Sequence, residues 1–193
     1  MDHELFLFRH GQTEWSVNGR HTGRTDIPLT AAGENQARAA GLTLQHRRGG
    51  PALVLTSPRQ RAVRTAELAG LRIDEQTEQL AEWDYGEYEG VTTAQIRETV
   101  PDWTVWTHEM PGGETVDQVT ARADALLARV REALADTEVI LVGHGHFSRV
   151  LIARWIGLPA TSGVHFGLDP AGVTVLGEER GQPKIENLNI PPS

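Results

Sequence analysis

Leu7-Phe8-Arg9-His10-Gly11 closes an apolar run on a guanidinium, an imidazole and a glycine. Open α/β sheets carry their chemistry just beyond the carboxyl ends of their strands, so the pentad predicts a strand over about 4–8 with a reacting centre at its end. Arg9 offers a planar fork of donors to an anion, Gly11 lets backbone approach closely, and His10 is a nucleophile partly neutral near pH 7. Together they suit attack on phosphorus.

Two further runs end in the same way. Ala52-Leu53-Val54-Leu55 leads into Thr56-Ser57-Pro58-Arg59-Gln60-Arg61-Ala62, where Ser57 reads as an N-cap, Pro58 suits a first turn and Gln60 completes a capping box. Arg61 then falls near the positive end of a helix, where an anion is favoured. Val139-Ile140-Leu141-Val142 runs into Gly143-His144-Gly145-His146. Glu82 stands in Glu82-Trp83-Asp84-Tyr85-Gly86-Glu87-Tyr88-Glu89-Gly90, a stretch of aromatics and acids. Two imidazoles, two guanidiniums and a carboxylate suffice for phosphoryl transfer without metal.

In order and spacing, Arg9-His10-Gly11, Thr56-Ser57-Pro58 with Arg61-Ala62, Glu82 with Tyr85-Gly86, and His144-Gly145 resemble the blocks of the histidine phosphatase superfamily, the phosphoglycerate-mutase-like enzymes. Gln12-Thr13-Glu14-Trp15-Ser16 and Thr22-Gly23-Arg24-Thr25-Asp26 look most like its acid phosphatase and sedoheptulose-bisphosphatase branch. The resemblance implies His10 as the phosphorylated nucleophile, Glu82 as proton donor, and Arg9, Arg61 and His144 as a phosphate clamp. It further implies substrate contacts at Gly11, Ser16, Thr22, Gly23, Tyr85 and Gly145. Much of the superfamily has Asn where this chain has Ser16, and a hydroxyl donates one hydrogen bond where an amide donates two. The implied activity is hydrolysis of a small phosphorylated metabolite, a sugar phosphate or bisphosphate, by way of phosphohistidine. A mutase and a phosphate-binding module without chemistry are the alternatives.

Composition narrows the class. The chain has no cysteine, which excludes a thiolate phosphatase, and its single lysine, Lys184, lies outside any glycine-rich loop, which excludes a P-loop hydrolase. No cofactor or metal is expected, since His144 and His146 alternate after a strand without a nearby acid. The net charge of −8 argues against nucleic acid or an anionic membrane as partner, and places phosphate attraction in a local patch. The start on a strand without a basic leader reads as cytoplasmic; a homodimer stays open.

Alternating strands (about 4–8, 52–56, 72–75, 138–142, 173–177) and helices (about 31–46, 58–69, 114–135, 146–157) predict a three-layer α/β/α sandwich on a mostly parallel sheet. A single domain over 1–193 is expected, with 181–193 as an edge strand and a flexible tail. Thr92 to His108, interrupted by Pro101, is expected as two short helices beside the site. Glu87 and Glu89 read as solvated loop acids, Arg59, Arg64 and Arg72 as surface ion-pair formers, and Trp103 and Trp106 as core. Arg149 reads equally as a structural ion pair or a substrate contact. Specificity is expected in the loops around Val17 to Thr25 and Thr99 to Gly113. Trp83-Asp84 after Glu82, and a stretch from Pro101 to Glu114 without Arg or Lys, predict weak hold on a second phosphate and hence poor mutase activity.

Overall fold

Why the chain folds as layers is visible in its first strand. In β1 (Leu5–Arg9), successive side chains point to opposite faces. Leu5 and Leu7 enter one core and Phe6 and Phe8 the other, all almost fully buried. A sheet apolar on both faces must be covered on both.

The structure, a computed structural model, describes residues 3–192. After β1 come α1 (Glu14–Val17), α2 (Ala31–Arg47), β2 (Ala52–Thr56), α3 (Gln60–Leu68), β3 (Glu75–Gln76), α4 (Thr93–Arg97), α5 (Val116–Ala133), β4 (Glu138–Gly143), α6 (Gly145–Trp155), β5 (Val173–Glu179) and β6 (Gln182–Ile190). The strand order is β3-β2-β4-β1-β5-β6. β1, β2, β3 and β4 pair in parallel, while β5 and β6 add antiparallel. Ala40 and Leu44 of α2 and Ala62 and Ala66 of α3 cover the phenylalanine face. Leu126, Leu127 and Val130 of α5, with Phe147 and Leu151 of α6 and Trp103, cover the leucine face.

Register puts the chemistry together. Arg9 lies opposite Gly143 and Thr56 opposite Val142, so β1, β2 and β4 end side by side and release His10, Ser57 and His144 at one edge. Gly11 serves this arrangement as a packing residue. A Cβ there would stand 2.4 Å from the Gly33 carbonyl oxygen, and one on Gly33 would stand 2.1 Å from that of Gln12. The two glycines thus let α2 press against the turn after β1.

Three expectations need correction. Residues 101–108 form turns in place of a second short helix, with Asp102 at φ 61° and Trp103 fully buried. The strand expected at 72–75 is the two-residue β3. Helix α3 starts at Gln60 with Arg59 at its N-cap and no side-chain cap, while the Ser57 hydroxyl stands before the helix, accepting from Arg59 N–H (3.4 Å) and lying 2.7 Å from His144 Nε2. The edge strand expected within 181–193 is β6, paired along β5 through Ile190; the flexible end expected beyond it includes Ser193, which lies outside the described residues.

Candidate active site

At the carboxyl edge opens a cavity of about 200 Å³ whose wall includes Arg9, His10, Ser16, Arg20, His21, Thr22, Glu82, Tyr85, Gly145, His146 and Arg149. His10 is 5% exposed, and its Nδ1 lies 2.7 Å from the Gly11 carbonyl oxygen. A carbonyl only accepts, so Nδ1 carries the proton and Nε2 holds a lone pair. Among the described residues no group bonds Nε2, which is open to the cavity. Burial, and then the Arg61 and Arg9 charges, push the His10 pKa well below the usual histidine range. The imidazole is thereby kept neutral in mildly acidic solution.

Arg9 donates to the Leu168 carbonyl, while its Nε is buried without a partner, and a Cβ on Gly145 would already stand 3.3 Å from it. Arg20 donates to the Gly90 carbonyl (2.8 Å), and Arg149 donates to the carbonyls of Gly163 (2.9 Å) and Val164 (3.0 Å) while stacking over Trp106. Among the described residues none of these three guanidiniums forms an ion pair, which settles Arg149 against the structural-pair reading. A larger neighbouring cavity of about 710 Å³ differs in this respect. Its arginines are all matched, as Arg24–Asp84 (2.7 Å), Arg59–Glu78 (3.1 Å) and Arg122–Glu114 (2.7 Å). Unsatisfied positive charge therefore belongs to the cavity containing His10.

Glu82, 8% exposed, is gripped by backbone. Its Oε1 accepts from the N–H groups of Trp83 (2.9 Å) and Phe147 (2.7 Å), and its Oε2 from that of His146 (3.0 Å). Oε1 has both lone pairs engaged and Oε2 only one, so a proton on this carboxyl sits on Oε2.

Arg61 and His144 are fully buried and form a layer behind His10 rather than the cavity wall. The His144 ring meets that of His10 edge-on at 5.2 Å. Its Nδ1 accepts from Arg61 Nε (3.3 Å), so Nε2 carries the proton and donates to Ser57 Oγ (2.7 Å). Arg61 also donates to the carbonyls of Thr22 (3.1 Å), Gly23 (2.8 Å) and Thr25 (2.8 Å), and Glu89 receives the N–H groups of Gly23 and Thr25 at 3.0 Å. Glu89 is thus a clasp for the 22–25 loop, where a solvated acid was expected.

The expected substrate contacts divide. Thr22, Tyr85 and Gly145 border the cavity. Ser16 does too, but its hydrogen goes to the Thr13 carbonyl (2.9 Å) inside the α1 capping box. Gly11 lies outside the cavity, packed against Gly33. Gly23 borders the neighbouring cavity, its N–H held by Glu89. Arg20 and His21 are wall residues that no motif singled out, although the stretch from Val17 to Thr25 was marked as a loop for specificity.

This geometry coincides with a known family. Residues 5–191 match the histidine phosphatase superfamily (branch 1), and the chain belongs to it. It is 48% identical to an acid phosphatase of Mycobacterium tuberculosis, over 98% of this chain and 93% of that protein. It is 34% identical to sedoheptulose 1,7-bisphosphatase of Saccharomyces cerevisiae, over 79% of this chain and 67% of that one. Among solved structures, that of open reading frame Rv3214 of Mycobacterium tuberculosis superimposes with a TM-score of 0.98 at 47% identity, with both chains fully covered. That of mycobacterial glucosyl-3-phosphoglycerate phosphatase Rv2419c with VO3 does so at 0.84 and 30%, covering 97% of this chain and 98% of that one. The protein is a phosphatase of this superfamily. No helix among the described residues is long and apolar enough to cross a membrane.

Proposed function

We propose that the protein hydrolyses a small phosphorylated metabolite bearing a second anionic group, a sugar bisphosphate being the leading class, through a phosphohistidine at His10. The observation that carries this reading is the open Nε2 of His10 beside three guanidiniums without carboxylate partners. One phosphoryl group does not need all three. Arg20 and Arg149 were not part of the expectation of weak hold on a second phosphate, which rested on Trp83-Asp84 after Glu82 and on the Pro101 to Glu114 stretch. They supply the missing cations, and a charge-assisted pair with a buried or half-buried anion is the stronger kind of hydrogen bond.

In the first step the Nε2 lone pair of His10 forms an N–P bond as the ester P–O bond breaks, and the departing oxygen takes the proton from Glu82 Oε2. Arg9 stabilises charge on the equatorial oxygens, with Arg61 and His144 acting from behind. In the second step the oxygen of a water bonds to phosphorus, the P–N bond breaks, and the water proton passes to Glu82. Phosphate and alcohol are released, and both side chains are returned to their starting states. No metal enters this accounting.

Phosphate release across matched sugar bisphosphates, sugar monophosphates and p-nitrophenyl phosphate tests the reading. The bisphosphates are expected to show the highest kcat/KM, by about tenfold or more over their monophosphates. Equal values would remove the second anion from the proposal. Supplying 3-phosphoglycerate with catalytic 2,3-bisphosphoglycerate separates the mutase alternative, since mutase turnover ten times the best phosphate release would replace the hydrolase reading.

The pH profile follows from the neutral His10. Because its pKa is depressed, protonation removes the nucleophile only well below the usual histidine range. Accordingly kcat/KM for p-nitrophenyl phosphate, which reports the free enzyme, is expected to show no loss from His10 protonation between pH 7 and about 5.5. A half-fall centred near the ordinary histidine value would show that His10 is unperturbed.

A further inference from the structure

His146 has no part in the two steps proposed above, yet it forms part of the cavity wall and its backbone N–H bonds Glu82. Its ring stands among Tyr85 (centroids 5.8 Å), Trp106 (5.4 Å) and His21 (6.0 Å). Nδ1 lies 2.6 Å from the Tyr85 hydroxyl. Tyr85 is 2% exposed, and this is the one contact its hydroxyl makes among the described residues. A buried hydroxyl hydrogen left without an acceptor is costly, so Tyr85 donates and Nδ1 accepts. The ring proton then resides on Nε2, which has no partner among the described residues and is open to the cavity. Burial, and then the Arg149 charge, push the His146 pKa well below its usual range, which keeps the ring neutral.

A neutral N–H donor differs in kind from the arginines around it. It gains little from a second phosphate and reads an uncharged oxygen. Its position also matters, because the backbone N–H of the same residue fixes Glu82 Oε2, the oxygen that protonates the leaving group. The alcohol part of a substrate must therefore lie within reach of His146 when its ester oxygen meets Glu82.

We infer that His146, oriented by Tyr85, is a specificity residue that donates its Nε2–H to an oxygen on the alcohol part of the substrate, selecting polyhydroxylated phosphates over plain alkyl phosphates. The inference deepens the proposed phosphatase function and rests on it. It also assigns Tyr85 a positioning role, since the phenol fixes which ring nitrogen bears the proton.

Glycerol 3-phosphate and propyl phosphate share a primary leaving group and differ in the hydroxyls beside it, so the ratio of their kcat/KM values isolates this contact. The wild-type ratio is expected to be about tenfold in favour of glycerol 3-phosphate. His146→Leu should bring it close to one. His146→Gln, whose amide N–H reaches toward the same place, should restore part of it, and Tyr85→Phe should lower it. Because both substrates see the same folded fraction, poor folding of a variant cancels in the ratio. A wild-type ratio of one, or an unchanged ratio in His146→Leu, overturns the inference. Failure of the wild type to release phosphate from either compound, with no label on His10, would instead overturn the phosphatase reading beneath it.

Discussion

Replacing His10 by Ala is expected to lower kcat by about 10⁴-fold or more on every substrate, because the two-step route loses the atom that carries the phosphoryl group. Rapid quench with radiolabelled substrate should give an acid-labile phosphoenzyme in the wild type and none in His10→Ala. His10 is buried and its ring bonds the Gly11 carbonyl, so circular dichroism of the variant must accompany the measurement. Label retained in His10→Ala, on His144 or elsewhere, would move the nucleophile. His144 is a poor candidate for that role, since Arg61 and Ser57 occupy both of its ring nitrogens.

Glu82→Gln gives the second large effect, and here the substrates should separate. An alkyl leaving group needs the proton, so its turnover should fall about 10²–10⁴-fold, while p-nitrophenyl phosphate should lose far less. The amide can still place its oxygen where Oε1 receives the N–H groups of Trp83 and Phe147. Its NH₂ then faces the His146 N–H that now bonds Oε2, two donors without an acceptor. A loss of stability of about 1–3 kcal/mol should accompany the kinetic change, measurable by denaturant unfolding. Equal kinetic losses on both substrates would make Glu82 a positioning group rather than an acid.

How much of this could be read from the chain depends on the range of the contacts involved. The strand-end residues Arg9, His10 and His144 were legible because each stands at the end of an apolar run and within two positions of a glycine, signals contained in a few consecutive positions. Ser57 was misread for the opposite reason: its local sequence suits a helix cap, but its partner His144 comes 87 residues later. The turns at 101–108 lost their expected helix to tertiary packing, which buries Trp103 and holds Asp102 at positive φ. Arg20 and His21 reach the cavity on a loop whose path is set by Glu89 and Arg61, distant in sequence. Ser16 shows the limit of matching one residue type to a role, since its hydroxyl is already spoken for by its own helix.

The clasp on the 22–25 loop has a bearing on how such an enzyme can change its tastes. Arg61 holds that loop through the carbonyls of Thr22, Gly23 and Thr25, and Glu89 through the N–H groups of Gly23 and Thr25. Every one of these loop atoms is main chain, present whatever the side chains. The identity of residues 22, 24 and 25 can therefore drift under selection for new substrates while the fastening to Arg61 and Glu89 stays in place. Gly23 is the exception, because a Cβ there would stand 2.6 Å from Glu89. Evolvability of recognition is thus confined to one side of a peptide backbone whose other side is bolted to Arg61.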